Sequence, residues 1–270
     1  MPKYVVLLAL FSLMLASLPA AGVGACAHRG DQKNAPENTV PAFISAVEKG
    51  AHQIEFDVYT TSDKRLIVIH DSTVDRTTNG KGKVCEMSFE AIRALDAGSW
   101  FDARFKGTKV PTLEEVLAAI PEEVQCNVHL KNAPGVAPAT AEVIAKMERM
   151  DQCFLACSVD QIAEARQVVP AIRTCNMSRQ TNDRPAYMAL TFEKKAQFIQ
   201  LHKKQGLKDL AKDVAELHGQ GVTVNFFGTQ EPDLIRKLAE AKVDYILTDD
   251  LDLCLKVLAE YGVKPVKLSK

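Results

Sequence analysis

The chain has almost no net charge and no strongly basic face. Its 270 residues include 33 lysines and arginines and 34 aspartates and glutamates, which gives a formal net charge of −1 at pH 7. It also lacks any cluster of arginines interleaved with aromatic residues. Because proteins that bind nucleic acid concentrate positive charge on one face, we expect no nucleic-acid partner.

The chain also lacks an apolar run long enough to span a membrane. The run at residues 5–18 is interrupted only by two serines, and it is shorter than the ~20 apolar residues that a bilayer requires. It follows Lys3 and precedes small residues at 19–22, which is typical of a secretory signal peptide. We therefore predict a signal peptide over residues 1–21. A domain without a membrane span would follow over residues 22–270, exported to the periplasm or secreted.

Two other fates of the N-terminal segment stay open. One is an uncleaved membrane anchor, and the other is a lipoprotein lipidated at Cys26. Cys26 lies two residues before His28. Lipidation there would displace the strand that carries this histidine.

A cysteine framework is absent as well. The seven cysteines are odd in number and follow no repeating spacing. If Cys153 and Cys157 share one strand, they lie about 13 Å apart at ~3.3 Å per residue, which is well beyond disulfide reach. Most of the others lie within apolar runs, where a thiol behaves as a small hydrophobe. We expect mostly reduced, buried cysteines and no thiolate metal site.

No internal repeat or low-complexity linker divides the chain. Apolar residues make up 47% of it, as in a globular protein with a sizeable core. Short apolar runs typical of strands alternate with amphipathic patterns typical of helices. The predicted strands cover residues 23–27, 53–58, 66–69, 125–130, 153–158, 172–177, 196–201, 222–227 and 245–247. The predicted helices cover residues 40–49, 88–95, 112–120, 138–150, 207–217, 231–241 and 251–261.

Repeated strand–helix alternation predicts an α/β fold with a parallel sheet. The length suits a single-domain (β/α)8 barrel of the TIM type, which commonly needs about 250 residues. However, nine strand candidates compete for eight positions, and only seven residues separate Val58 from Leu66. A helical crossover between parallel strands needs about a dozen. We therefore expect the barrel to be irregular near its second and third strands, with one extended connection.

Residues able to do chemistry stand at or just beyond several of these apolar runs. They occur in the motifs Ala27-His28-Arg29-Gly30, Pro36-Glu37-Asn38-Thr39, Glu55-Phe56-Asp57-Val58 and Ile69-His70-Asp71. Histidines exchange protons near neutral pH, an arginine grips phosphate through a planar fork, and paired carboxylates hold a hard divalent cation. Since barrel enzymes place their sites at the carboxyl ends of strands, this order indicates cleavage of a phosphodiester.

These motifs resemble those of the bacterial glycerophosphodiester phosphodiesterase family. The resemblance continues, in order, through Asp75-Arg76-Thr77-Thr78-Asn79-Gly80-Lys81-Gly82, Leu95-Asp96-Ala97-Gly98-Ser99-Trp100-Phe101, Pro111-Thr112-Leu113-Glu114-Glu115-Val116, Thr223-Val224-Asn225 and Ile246-Leu247-Thr248-Asp249-Asp250. It implies a metal-assisted barrel enzyme that hydrolyses glycerophosphodiesters, which are deacylated phospholipids, to glycerol 3-phosphate and an alcohol. It also implies a route in which the glycerol 2-hydroxyl attacks phosphorus and water later opens a cyclic phosphate.

His28 and His70 are the predicted proton carriers. One would deprotonate the attacking oxygen, and the other would protonate the departing alcohol, because an alkoxide is too basic to leave unaided. The sequence leaves open which histidine has which role. Arg29 is the third predicted catalytic residue, and it would neutralise a phosphate oxygen.

Glu55 and Asp57 are the predicted carboxylate ligands of a divalent cation. Residues two apart on a strand project to the same face, so both side chains can point into the barrel mouth. Two buried acids would repel each other and take up protons unless a cation lay between them. Oxygen ligands favour Ca²⁺ or Mg²⁺, and either ion would also polarise the phosphate.

The related family usually supplies a third acidic ligand in a Glu-x-Lys motif on the next core strand. Here the matching residues are His129 and Lys131. The resemblance implies that Lys131 contacts the phosphate or the glycerol hydroxyls. His129 replaces the glutamate as the predicted third ligand, and since imidazole suits softer ions than Ca²⁺, the identity of the metal stays open.

Two further predictions concern Glu37 and Asn225. Glu37 would order the loop after the first strand and contact the substrate, and Asn225, near a later strand end, would line the pocket. Three other histidines, at positions 52, 202 and 218, lack clustered partners and are interpreted as ordinary.

Two alternatives to hydrolysis of a small glycerophosphodiester remain. One is a phospholipase D-like lyase that acts on lysophospholipids, and the other is a non-catalytic barrel that binds phosphodiesters. Retention of His28 and His70 argues against the second, because binding alone does not require two proton carriers. The sequence carries no signal for an oligomeric state.

Overall fold

The computed structural model describes residues 22–180, 183–228 and 230–268. The strands are β1 (Gly24–His28), β2 (Gln53–Thr60), β3 (Leu66–Val68), β4 (Gln125–Leu130), β5 (Cys153–Cys157), β6 (Thr174–Asn176), β7 (Phe198–His202), β8 (Thr223–Phe227) and β9 (Tyr245–Thr248). The α-helices are α1 (Val40–Glu48), α2 (Phe89–Ala94), α3 (Leu113–Ala119), α4 (Val136–Lys146), α5 (Val159–Val168), α6 (Arg184–Glu193), α7 (Leu210–Gly219), α8 (Pro232–Glu240) and α9 (Leu251–Ala259).

Eight of these strands close into a parallel barrel, which confirms the predicted TIM-type fold. The sheet runs in the order β1-β9-β8-β7-β6-β5-β4-β2-β3, and an additional β1–β2 pairing closes it. β3 stands outside the barrel because it pairs antiparallel with the end of β2, with Val58 opposite Val68. The short connection after β2 is therefore a turn within an antiparallel pair, and this is the irregularity expected near the second and third strands.

Two helices, α5 and α6, were not expected from the sequence. Only Ile162 and Ala165 of α5 are buried, so its apolar stripe is too narrow to stand out as a helical period. Its start is instead set by a capping box in which Ser158 and Gln161 satisfy each other's backbone N–H groups. In α6 the buried face includes Arg184 as well as Tyr187 and Met188, which interrupts the apolar pattern.

The barrel wall has two different faces. Alternate residues of β2, such as Ile54 and Phe56, pack outward in one large core with the surrounding helices. The residues between them face the barrel interior, where the Phe154 and Phe198 rings stack with centroids 3.8 Å apart. β2 is therefore buried on both faces, and its polar residues depend on partners inside the barrel.

A lobe over residues 69–112 follows β3 and lies beside the barrel mouth. It has a small core that includes Ile69, Val74 and Ile92. Asp96 closes a turn here by accepting hydrogen bonds from the backbone N–H groups of three residues and from one hydroxyl. The lobe presents His70 and the segment after it to the mouth.

The seven cysteines are all free, and six of them are buried. Cys153 and Cys157 begin and end the same strand, β5, as the sequence interpretation required. Burial raises the pKa of the Cys157 thiol to about 12. The predicted signal peptide at residues 1–21 lies outside the described residues. Among the helices within the described ranges, none has both the length and the apolar character needed to cross a membrane.

Candidate active site at the carboxyl end of the barrel

The predicted site residues converge at the mouth formed by the carboxyl ends of the strands. His28 is the last residue of β1, Glu55 and Asp57 lie on β2, and His129 is near the end of β4. Lys131 follows β4 directly. This end of the barrel is where TIM-barrel enzymes carry out their chemistry.

Glu55, Asp57 and His129 form one cluster of potential metal ligands. One ligand atom from each lies within 4.8 Å of the others. His129 Nδ1 is 3.1 Å from an oxygen of Asp57 and 3.5 Å from an oxygen of Glu55. Both carboxylates are buried, with 2% and 0% of their residue surface exposed. Two buried acids at this separation require compensating positive charge.

This donor set fits a divalent cation. Burial alone would lower the pKa of His129, but its hydrogen bonds to Asp57 and Glu55 outweigh burial and raise it. A proton on His129 and a metal ion therefore compete for the same role, since each would neutralise the two carboxylates. Two oxygens and one nitrogen leave coordination positions for water or substrate.

Asp57 is also held by neighbours that are not metal ligands. Lys131 Nζ lies 2.7 Å from Asp57 Oδ1, and Asn38 Nδ2 donates to Asp57 Oδ2 at 2.8 Å. The backbone N–H of Asp57 donates in return to Asn38 Oδ1. Burial opposes ionisation of Asp57, yet the hydrogen bond from His129 and the charge of Lys131 prevail and hold its pKa well below the ordinary value. Asp57 is thus kept as a carboxylate.

His28 is oriented by a carboxylate from the far end of the chain. Its Nδ1 lies 2.5 Å from Asp249 Oδ1, just beyond β9. Gln32 and Gln230 also donate to Asp249, and the Phe227 ring lies 5.0 Å from the imidazole. The other ring nitrogen, Nε2, is 3.8 Å from Glu55 Oε2. Because Nδ1 is engaged by Asp249, Nε2 is the nitrogen available for proton exchange beside the carboxylate pair.

His70 has a carboxylate behind it as well, supplied by the next residue. Its Nδ1 lies 2.7 Å from Asp71 Oδ1. Burial lowers the pKa of His70, although the charge of Asp57 and the bond to Asp71 oppose that shift. Hydrogen bonds from Arg76 are the main reason that the pKa of Asp71 is lowered to about 2. At neutral pH the partner of His70 is therefore an ionised carboxylate.

Arg29 enters the mouth from a tight turn after β1. Its φ is +57°, and the following Gly30 has φ +80°, where a Cβ would lie 2.8 Å from the backbone of Ala42. Glycine is therefore required beside the arginine. Arg29 Nη1 donates to Glu37 at 2.8 Å, while the buried Arg29 Nε lies 3.6 Å from Asp57 Oδ2 and has no hydrogen-bond partner. A buried guanidinium donor without a hydrogen bond suits a phosphate oxygen.

Glu37 lies in this loop, as predicted, but it contacts two arginines. It accepts hydrogen bonds from Arg29 and from both terminal nitrogens of Arg76. Burial would raise the pKa of Glu37, and these two guanidinium groups instead lower it. Glu37 therefore orders the arginines around the site.

The structure corrects the prediction for Asn225. This residue is fully buried inside the barrel, where its side-chain amide donates to Gln53 Oε1 at 2.9 Å. β8 continues for two more residues, and Phe227, not Asn225, packs against His28. The strand ends at Phe227, as predicted, so Asn225 lies two residues before its end and the amide belongs to the layer below the mouth.

Four further residues at the mouth were not assigned from the sequence. Asn38, Arg76 and Asp249 contact the predicted site residues Asp57, Glu37 and His28 in turn. The His202 ring packs against Phe227 with centroids 5.4 Å apart. His202 ends β7, the same signal that selected His28. Asp249 follows the last strand within a motif that the resemblance had identified.

At this mouth two histidines, each bonded to a carboxylate, lie beside Arg29 and the buried pair Glu55 and Asp57. This arrangement on a (β/α)8 barrel is that of a phosphodiesterase. The model of the "Glycerophosphoryl diester phosphodiesterase family" matches residues 28–253. The chain belongs to this family, which confirms the enzyme class predicted from its sequence.

Relatives of nearly the same length support this membership. A glycerophosphodiester phosphodiesterase of Caldanaerobacter subterraneus subsp. tengcongensis is 32% identical, over 87% of this chain and 98% of the relative. A putative glycerophosphodiester phosphodiesterase of Bacillus subtilis is 31% identical, over 85% of this chain and 96% of the relative.

Solved structures show the same fold. The glycerophosphodiester phosphodiesterase from Agrobacterium tumefaciens str. C58 matches with a TM-score of 0.73 and 28% identity, over 87% of this chain and 98% of that one. An Oleispira antarctica phosphodiesterase, solved with the product sn-glycerol-3-phosphate, matches with a TM-score of 0.75 and 22% identity, over 88% and 96% of the two chains.

Proposed function

We propose that this enzyme hydrolyses small glycerophosphodiesters to glycerol 3-phosphate and an alcohol. The observation that carries the proposal is the placement of both carboxylate-backed histidines at one mouth with the buried acidic pair. His28 Nε2 lies 3.8 Å from Glu55, and the charge of Asp57 acts on His70. The names of the relatives and the product bound in the Oleispira antarctica neighbour point to the same substrate class.

In this proposal His28 and His70 carry the protons. One accepts the proton of the attacking oxygen, and the other donates a proton to the departing alcohol. Asp249 and Asp71 orient the two imidazole rings through Nδ1. In each ring Nε2 is therefore the nitrogen that transfers the proton. The attacking oxygen is either the glycerol 2-hydroxyl, which gives a cyclic phosphate, or water.

Arg29 and Lys131 bind the phosphate. Arg29 Nε is buried without a hydrogen bond, 3.6 Å from Asp57 Oδ2, and a phosphate oxygen would satisfy it. Lys131 Nζ contacts Asp57 at 2.7 Å, which places its ammonium at the edge of the acidic pair and within reach of phosphate or glycerol hydroxyls. Two positive groups that meet at one oxyanion stabilise the charge that develops on phosphorus-bound oxygen.

Glu55, Asp57 and His129 would hold a divalent cation. Its chemistry there is to neutralise the carboxylates and to polarise the phosphate. The two carboxylates suit Ca²⁺ or Mg²⁺, whereas the imidazole widens the choice toward softer ions such as Mn²⁺. Asn38 and Lys131 orient Asp57 from outside the ligand set.

The direct test is turnover of glycerophosphocholine by the purified protein. Glycerol 3-phosphate is measured with Ca²⁺, Mg²⁺ or Mn²⁺ and after exhaustive chelation. Release of glycerol 3-phosphate that depends on metal is expected. If lysophosphatidylcholine is cleaved instead, the lyase alternative is correct. Binding of glycerophosphocholine without turnover under every metal condition would indicate a binding protein.

We further propose that the enzyme works outside the cytoplasm, after removal of residues 1–21. The support is the apolar segment with small residues behind it. Full-length protein with a C-terminal tag, expressed in a Gram-negative host, should fractionate with the periplasm and begin near residue 22. Recovery of an uncleaved chain with the membranes would favour an anchor. Recovery of a chain that begins at a lipidated Cys26 would favour a lipoprotein.

A further inference from the structure

We propose that Arg76 is a positioning residue that fixes the side chains of His70 and Arg29 relative to each other. This inference rests on the proposed roles of His70 in proton transfer and of Arg29 in phosphate binding. Arg76 lies in the motif at residues 75–82, for which the proposed reaction has no direct use. Its guanidinium does not contact either residue directly, and it acts through two carboxylates.

The guanidinium of Arg76 is shared between Asp71 and Glu37. Nε and Nη2 donate to the two oxygens of Asp71 at 2.7 and 3.1 Å. Nη1 and Nη2 donate to the two oxygens of Glu37, both at 2.8 Å. Each carboxylate is therefore gripped at both of its oxygens, and all three guanidinium nitrogens are engaged. These bonds raise the pKa of Arg76 further above its already high ordinary value.

Each of these carboxylates has a second partner in the active site. Asp71 Oδ1 also contacts Nδ1 of His70, and Glu37 Oε1 also accepts a hydrogen bond from Arg29 Nη1. One continuous chain of charge-assisted bonds therefore runs from His70 through Asp71, Arg76 and Glu37 to Arg29. Such bonds are shorter, stronger and more directional than neutral ones.

The chain of bonds joins two loops that the sheet does not join directly. Arg29 and Glu37 belong to the loop after β1, whereas His70, Asp71 and Arg76 follow β3. β3 pairs with β2 and has no pairing with β1. β2 pairs with both strands, so the sheet relates the two loops only through it, and Arg76 adds a direct link between them.

The segment around Arg76 is itself well ordered. Thr78 Oγ1 donates to the carbonyl of Val74 and accepts from the N–H of Gly80. Asp75 accepts a hydrogen bond from the N–H of Gly82. These local bonds hold the turn in one conformation, so the guanidinium is presented to Glu37 and Asp71 at low conformational cost. This accounts for the threonine, glycine and acidic residues of the motif.

Lysine cannot replace the arginine in this arrangement. A lysine ammonium is a point charge on a flexible stem and cannot grip two carboxylates bidentately. Without Arg76, Glu37 would keep only its hydrogen bond from Arg29, and the Asp71 side chain could rotate together with that of His70. Misplacement of a reacting group by about 1 Å costs roughly 100-fold in rate. The expected loss is therefore in turnover, while the fold, which does not rest on this half-exposed side chain, should persist.

The test compares Arg76→Gln and Arg76→Lys with Arg236→Gln in metal-loaded enzyme. Arg236 is the matched control, because it also grips one carboxylate, Glu260, with two nitrogens but lies in α8. Both Arg76 variants should lose roughly 100-fold in kcat, and Arg76→Gln should also raise KM through Arg29. The control should stay within about twofold of wild type.

A double-mutant cycle separates positioning from general structural damage. In the His70→Ala background, Arg76→Gln should lower kcat by no more than about a further twofold, because His70, through which Arg76 acts on kcat, is already absent. Full additivity of the two losses, or near-wild-type kcat in Arg76→Lys, would overturn the inference. A wild-type chain that does not turn over glycerophosphocholine would instead overturn the proposed function, and the inference with it.

Discussion

His28 Nδ1 lies 2.5 Å from Asp249 Oδ1, although 221 positions separate the two residues in the chain. The contact exists because β1 pairs with β9 when the barrel closes. His70 has its carboxylate in the adjacent residue, Asp71. The two histidines therefore have equivalent support from different sources: one depends on barrel closure, and the other is local.

Loss of either histidine should abolish most of the turnover. His28→Ala and His70→Ala should each lower kcat by roughly 100-fold or more, which is the usual scale of a lost acid or base. His218→Ala is the control, since His218 belongs to α7 and bonds to Asp244 away from the mouth. Glycerol 3-phosphate release measures activity, and circular dichroism checks folding. Near-wild-type activity in either mouth variant would remove that histidine from the mechanism.

Removal of a carboxylate from the acidic pair should abolish metal binding. A cation that binds only the folded state at about 100 times its Kd stabilises it by roughly 2.7 kcal/mol. Wild-type protein should therefore unfold at a higher temperature when Mg²⁺ or Ca²⁺ is added, whereas Glu55→Ala and Asp57→Ala should not respond. Glu142→Ala, at an exposed position of α4, should respond like wild type. Full activity of metal-free enzyme, verified by elemental analysis, would contradict a metal-assisted reaction.

Substitution of His129 should change the choice of metal and its pH dependence. Hydrogen bonds to Asp57 and Glu55 raise the pKa of His129 in the absence of metal. Since metal must displace this proton, affinity should fall as pH drops, beginning above the ordinary histidine value of about 6.5. His129→Glu should bind hard ions at lower pH and shift preference toward Ca²⁺ or Mg²⁺. Identical ion ranking and pH dependence in titrations of both proteins would show that His129 is not a ligand.

The sequence predicted those parts of the site that are encoded locally. His28, Glu55, Asp57 and His70 stand beside apolar runs, and the carboxyl ends of parallel strands must meet at one mouth. Asp249 could not be assigned to His28 in this way, because the pairing depends on which strands become neighbours at closure. Phe227 ends a strand that was predicted with the correct end, but its packing against His28 could not be predicted, because β8 and β1 are not neighbours in the sheet.

The fold was predictable where hydrophobic periodicity is strong. An apolar run such as β3 has the same pattern whether it pairs parallel or antiparallel, so the sequence showed one strand too many without showing which one lies outside the barrel. α5 was missed because its buried face reduces to Ile162 and Ala165. In both cases tertiary contacts, not local pattern, decide the outcome.

The lobe beside the mouth should lose stability when its acidic turn is altered. Asp96 accepts bonds from the N–H groups of Ser99, Gly107 and Gly98 and from the Ser99 hydroxyl, and these bonds hold its pKa well below the ordinary value. In Asp96→Asn an amide NH2 group, which cannot accept these hydrogen bonds, would replace one of the two accepting oxygens. The Tm at pH 7 should therefore fall by roughly 2–4 °C.

The pH dependence of that loss follows from the sign of the shift at Asp96. Because its folded pKa lies below its unfolded value of 3.8, the carboxylate stabilises the folded state fully above about pH 5 and progressively less as pH falls through 4 toward the folded pKa. Thermal unfolding of wild type and Asp96→Asn from pH 7 to pH 3 should therefore show two Tm values that converge on acidification. Asp160→Asn, at an exposed position in the first turn of α5, should leave Tm nearly unchanged. A Tm difference for Asp96→Asn that is as large at pH 3 as at pH 7 would mean that the hydrogen-bonded carboxylate is not what holds this turn.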